Sequence, residues 1–220
     1  SMIVINPKPR NHSANATRVP RAAQIMPAPS PTQELGAATA YTGNQAVSAP
    51  VHTTYPAPEQ VTSAGPGCVV VNGDFETGTL AGWTVVGSGG FGDWVVNNGT
   101  LDPASPAGPL APCSGGFEAL TDPTGPSVRV LYQDVAIPAA GSATLRWTDQ
   151  IRNHAGTFAD PGQEFRVEIR NPANDSVLAT VFSTNPGDVA LQPCTARCAD
   201  ISAFIGQTVR IAFVEEDSLF

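Results

Sequence analysis

Lysine is almost missing from this chain: Lys8 is the single copy, and none occurs from Gly67 to Phe220. That later stretch carries 7 arginines against 17 Asp and Glu, while residues 1–66 hold Lys8, Arg10, Arg18 and Arg21 against Glu34 and Glu59. The net charge of −8 therefore belongs to the later part. An acidic, lysine-free surface repels phosphate backbones, which excludes nucleic acid as a partner. No apolar run approaches the roughly 20 residues of a membrane helix, and SMIVINPKPR lacks the apolar core of a signal peptide. Also absent are HExxH, G-x-S-x-G and a glycine-rich phosphate loop. After residue 66 the one histidine is His154, and Glu215 and Glu216, as strand neighbours, point to opposite faces. The expectation is a protein without catalytic activity.

What is present divides at about residue 67. Ten of the 21 prolines precede Cys68, whereas Trp83, Trp94 and Trp147 all follow it. Residues 1–66, with PAPSP at 27–31 and YPAP at 55–58, bury too little apolar surface to offset their ordering entropy, so they read as an extended Pro/Ala-rich arm or linker. Residues 67–220 read as one domain, with strand-like runs at 84–86, 93–96, 117–120, 128–137, 143–151, 164–170, 177–182 and 208–214 separated by Gly, Pro, Asn and Asp turns. Such a succession predicts an all-β antiparallel sandwich. In EFRVEIR, Phe165, Val167 and Ile169 take one face and Arg166, Glu168 and Arg170 the other. In ATLRWTDQI, Asp149 shares the face of Leu145, Trp147 and Ile151, as a buried polar group with a partner or as part of a groove. The one helical candidate is 199–204, with Asp200 as its cap.

The stretch Cys68 to Trp83, CVVVNGDFETGTLAGW, reads as a strand, a tight turn and a second strand start. It resembles the "NG-F-E-G-GW" opening of bacterial secreted jelly-roll modules of the carbohydrate-binding, galactose-binding-like kind. GPSVRVLYQDVAIP, ATLRW, QEFRVEIR and ADISAFIGQTVRIAFVEED follow in the order of that family's strands. The resemblance covers about residues 68–220 and implies a jelly roll. It also implies a structural Ca²⁺, with Glu76 at the matching position, Asn72 and Asp74 beside it and Asp217 as the distant partner. Such modules run on into a closing strand with an Asp-Asn signature, whereas this sequence stops at Phe220. The sequence is then either a fragment or leaves an edge for a strand from elsewhere, and Met2 to Ile5 from a neighbouring subunit's arm is a candidate.

Four cysteines, Cys68, Cys113, Cys194 and Cys198, point to disulfides and an oxidising, extracellular or cell-surface location. They allow three pairings, of which Cys68 with Cys113 and Cys194 with Cys198 is favoured because the second is local. Their spacing suits zinc poorly. Trp94, in the weakly patterned FGDWVVNN, is the candidate exposed platform for a sugar, with Asp149, Arg152, Asn153, His154 and Asp160 supplying hydrogen bonds. The expected function is an extracellular binding module for a glycan. The alternative is an assembly subunit of a surface layer, filament or coat whose arm packs on neighbouring copies.

Overall fold

The structure is a computed structural model that describes residues 2–6, 51–54, 70–103, 108–139, 141–154, 156–160 and 162–218. One compact unit comprises Ser1–Pro9 and Ser48–Phe220. A second, Arg10–Val47, lies outside the described residues, as does Cys68. The described chain is all-β: β1 (Met2–Asn6), β2 (Val51–Thr54), β3 (Thr84–Phe91), β4 (Val95–Asn97), β5 (Glu118–Thr121), β6 (Thr124–Ala136), β7 (Thr144–Arg152), β8 (Gln163–Arg170), β9 (Val177–Ser183), β10 (Thr195–Asp200) and β11 (Thr208–Asp217). These form a five-stranded sheet in the order β10-β7-β1-β5-β4 and a six-stranded sheet in the order β2-β3-β6-β11-β8-β9. The pairings are antiparallel.

Alternation builds the core. Leu145, Trp147 and Ile151 from one sheet meet Leu131, Phe165, Val167, Ile169, Val209, Ile211 and Phe213 from the other in a single buried cluster. Trp147 lies edge-on to Phe213 with ring centroids 6.5 Å apart, and Phe165 stacks on Phe213 at 6.5 Å. Trp83 joins from the opening stretch, 6.0 Å from Phe213 and 5.5 Å from Phe75.

Several expectations need correction. The tight turn expected at Asn72 and Gly73 is present at residues 71–74, but residues 70–83 contain no strand, so the opening is not a hairpin. Asn72, at φ +48°, is its hub, donating from Nδ2 to the carbonyls of Thr79 (2.8 Å) and Ala81 (3.1 Å). Gln133, facing inward from β6, bonds both backbone groups of Val71 at 2.7 and 3.0 Å, doing with one side chain what a paired strand would do. The helix expected at 199–204 is the end of β10 followed by one 3₁₀ turn, Ser202–Phe204, whose first amide donates to Asp200 Oδ1 at 2.9 Å.

The segment expected to be an arm contributes β1 and β2 to these sheets. Met2 to Ile5, a candidate to complete a neighbouring subunit, lies in β1 (Met2–Asn6), which pairs within its own chain.

The disulfide is Cys113–Cys194, and Cys198 is a free, exposed thiol. The pairing of Cys194 with Cys198 fails on geometry: Thr195–Asp200 is a strand, and four extended residues span about 13 Å, twice what a disulfide bridges. With Cys113 bonded to Cys194, its pairing with Cys68 is excluded as well.

Candidate functional site

The residues expected to bind a sugar do not converge. Trp94 is 1% exposed and belongs to the main core, so its ring faces are closed to a ligand, a correction explained by core packing in a segment whose pattern is too short to read. Asp149 is fully buried and accepts from Trp147 Nε1 at 2.8 Å and Arg197 Nε at 2.6 Å. Burial raises its pKa above the usual carboxylate range, while the hydrogen bond and charge of Arg197 and the Trp147 bond pull the other way. Arg197 also lies over the Phe182 ring at 4.0 Å. Asp149 is thus the buried polar group with partners, one of the two readings open to the sequence.

Asn153 is buried too, donating to the Thr157 carbonyl at 2.7 Å and fixing its own loop. Arg152 is half-buried and bridges to Leu191 through its backbone, while His154 and Asp160 are exposed.

The residues expected to hold calcium are engaged with the chain itself. Both Asn72 donor bonds are used and its Oδ1 accepts from Thr77 Oγ1 at 3.0 Å. Asp74 accepts from the Glu76 amide at 3.3 Å, and Glu76 Oε1 accepts from the amides of Gly116 (2.8 Å) and Phe117 (3.3 Å). Asp217 is buried at the end of β11, opposite Ser127 and Gln163. Among the described residues no group of three or more His, Cys, Asp or Glu is placed to hold a metal ion.

A different surface is better organised: the outer face of the six-stranded sheet. Register places its side chains in cross-strand rows. One runs His52, Val86, Val130, Val214, Arg166, Ser183, and the next runs Thr54, Thr84, Tyr132, Ala212, Glu168, Thr180. The rows share a composition. Hydroxyl and imidazole groups lie at the β2–β3 end, and Val130, Ala212 and Val214 form a buried apolar strip in the middle, with Val86, Val128 and Tyr132 around them. Charges follow on β8.

Those charges form a ladder of alternating sign. Arg166 pairs with Glu164, with Glu168 at 2.8 Å and with Glu216 at 3.0 Å. Arg170 joins Glu168 at 2.7 Å to Asp175 at 2.8 Å. Arg210 joins Asp175 at 3.1 Å to Asp134, which it grips with two nitrogens at 2.7 and 3.0 Å, and its guanidinium lies 3.8 Å from the centroid of the Tyr132 ring. Burial opposes the charge on Arg166, yet Glu164, Glu216 and Glu168 together raise its pKa above the ordinary arginine value. Arg210 is raised as well, chiefly by its hydrogen bonds to Asp134.

The ladder holds its charged groups at fixed positions beside the apolar strip: Glu164, Glu168 and the strip are buried, while Tyr132, Arg166 and Arg210 are partly exposed and Asp134 and Asp175 exposed. The alternation of EFRVEIR was legible in the sequence, but the meeting of its charged face with Asp134, Arg210 and Glu216 depends on a register that only the structure supplies. Tyr132 carries no such signal in the sequence, because it sits in VRVLYQD between Leu131 and Gln133, where the alternation of apolar and polar residues breaks down.

Fold and site together define an all-β protein of two antiparallel sheets with an ordered polar face. Comparison with family models, curated proteins and solved structures found no match.

Proposed function

We propose that this protein is an extracellular, non-catalytic binding module of jelly-roll type whose ligand is a neutral saccharide, held on the outer face of the six-stranded sheet. The observation that carries the reading is the ladder from Glu216 through Arg166, Glu168, Arg170 and Asp175 to Arg210 and Asp134, bordering Tyr132 and the Val130–Val214 strip. Five carboxylates against three guanidiniums leave the face acidic, which disfavours anionic ligands and leaves neutral hydroxylated ones. Every carboxylate of the ladder already accepts from a guanidinium, so none stands ready to flank a scissile bond. The disulfide Cys113–Cys194 fits an oxidising compartment.

Calorimetric titration with a panel of soluble neutral oligosaccharides tests this. Binding to at least one is expected, and Tyr132→Ala should weaken it about tenfold, a typical loss for one well-placed contact of about 1.4 kcal/mol. Asp160→Ala, on the loop first expected to bind, should leave it unchanged. Weakening by Asp160→Ala but not by Tyr132→Ala, or no binding across the panel, contradicts the reading.

A further inference from the structure

The place of β1 in its sheet is unusual in one respect. It is an interior strand, paired on one side with β5 (Ile3 opposite Thr121, Ile5 opposite Ala119) and on the other with β7 (Met2 opposite Arg152, Asn6 opposite Thr148). Both partners lie more than a hundred positions along the chain, and the next strand among the described residues, β2, starts at Val51 and pairs with β3 in the other sheet. Sheet pairing to β5 and β7 thus holds β1, and no hairpin ties it to either. Removing it would break no pairing other than its own, since β5 pairs otherwise with β4 and β7 with β10.

We propose that the slot between β5 and β7 is a strand-exchange site that accepts Met2–Asn6 of a second copy of this chain as well as its own. Four considerations lead there. First, an empty slot is costly: it would leave unpaired two inner strand edges whose residues Ala119, Leu120, Thr121, Asp149, Gln150 and Ile151 are buried. A vacated slot is therefore refilled. Second, the occupant MIVIN is uncharged and rich in β-branched residues, a sequence fitted to interior pairing and poorly suited to remaining free in water.

Third, the partners of β1 are complete only after Arg152, so among the described strands it waits longest for a slot. Fourth, a second copy offers the same strand in the same register, so the exchanged and the closed forms have identical ladders and differ mainly in the entropy of closing the tether. The chain's own strand is favoured because it is joined to its slot, while a second copy's strand competes in proportion to protein concentration. Exchange consequently rises with protein concentration during folding, and crowded copies at a surface would be linked through their first strands. This does not depend on the saccharide reading.

Cysteine pairing in the full chain tests it. Two differently tagged chains, both carrying Cys198→Ser, receive Ile5→Cys in one and Ala119→Cys in the other, and are unfolded together, refolded and oxidised. A covalent heterodimer joined through positions 5 and 119 is expected, with a yield that rises at least tenfold when the refolding concentration goes from about 1 µM to about 1 mM. The same yield should collapse when Ala119→Cys is replaced by Thr144→Cys, which lies outside the β1 pairing. A single chain carrying both substitutions should close its own disulfide at low concentration. If that single chain closes efficiently at every concentration while the mixed chains give no heterodimer, the slot is private to its own strand and the proposal fails. If neither species forms, β1 does not occupy the slot and the proposal fails with it.

Discussion

Glu118 is fully buried on β5, its carboxylate accepting from Asn97 Nδ2 at 2.7 Å and from the Cys113 amide at 2.9 Å. Burial outweighs both bonds and pushes its pKa up from 4.5 to about 7. The folded state therefore holds this proton over a range in which the unfolded chain has released it. Stability from this group is fully present below pH 4.5 and is lost as pH rises to about 7, amounting to about 3 kcal/mol. Asp149 and Asp122 are raised as well, both first by burial, and act in the same sense. Denaturant unfolding should show greater stability at pH 5 than at pH 8, and Glu118→Gln should flatten that dependence. An unchanged pH slope in Glu118→Gln would show that the carboxyl is not held protonated. Nothing in the sequence singled out Glu118, since FEAL has no alternation and all of Glu118–Thr121 is buried on both faces. Asp149 is legible because it breaks a clean apolar face, whereas the burial of Trp94 is not, because residues 91–97 contain no such face.

Elements with a long, regular alternation, β6, β7, β8 and β11, lie within a few residues of where the sequence puts them. Those that depend on distant partners do not. β1 is five residues without a local neighbour, and the stretch 70–83 is held by the side chains of Asn72 and Gln133, which no strand pattern encodes. The disulfide belongs to the same class: Cys113 lies in the loop packed on Leu120, and Cys194 lies just before β10. It spans 81 positions, and in the chain-entropy view a loop of that size contributes about 4 kcal/mol. Cys113→Ser should lower unfolding stability by about that amount in non-reducing buffer and have little effect under reducing conditions, where the parent loses the same constraint. An equal loss in both buffers would place the cost in packing against Leu120 and not in the crosslink.

At the scale of the whole molecule, two sheets share one core, and the outer face of the larger sheet is set aside for charge and hydroxyl groups around a narrow apolar strip. The net charge of −8 visible in the sequence is thus partly ordered in the structure, since five carboxylates of this face are organised by Arg166, Arg170 and Arg210. Composition foretold an acidic surface and could not foretell its arrangement, because cross-strand rows follow from register and register from turns far away in the chain. This face is where we propose that a ligand is recognised. The measurement that bears on it most directly is a two-dimensional NMR titration of the full chain with whichever oligosaccharide binds in calorimetry. Shifts are expected to concentrate at the solvent-accessible residues of the face, Tyr132, Asp134, Arg166, Asp175 and Arg210, with residues 152–160 unmoved. Shifts confined to residues 152–160, with the sheet face silent, would contradict it.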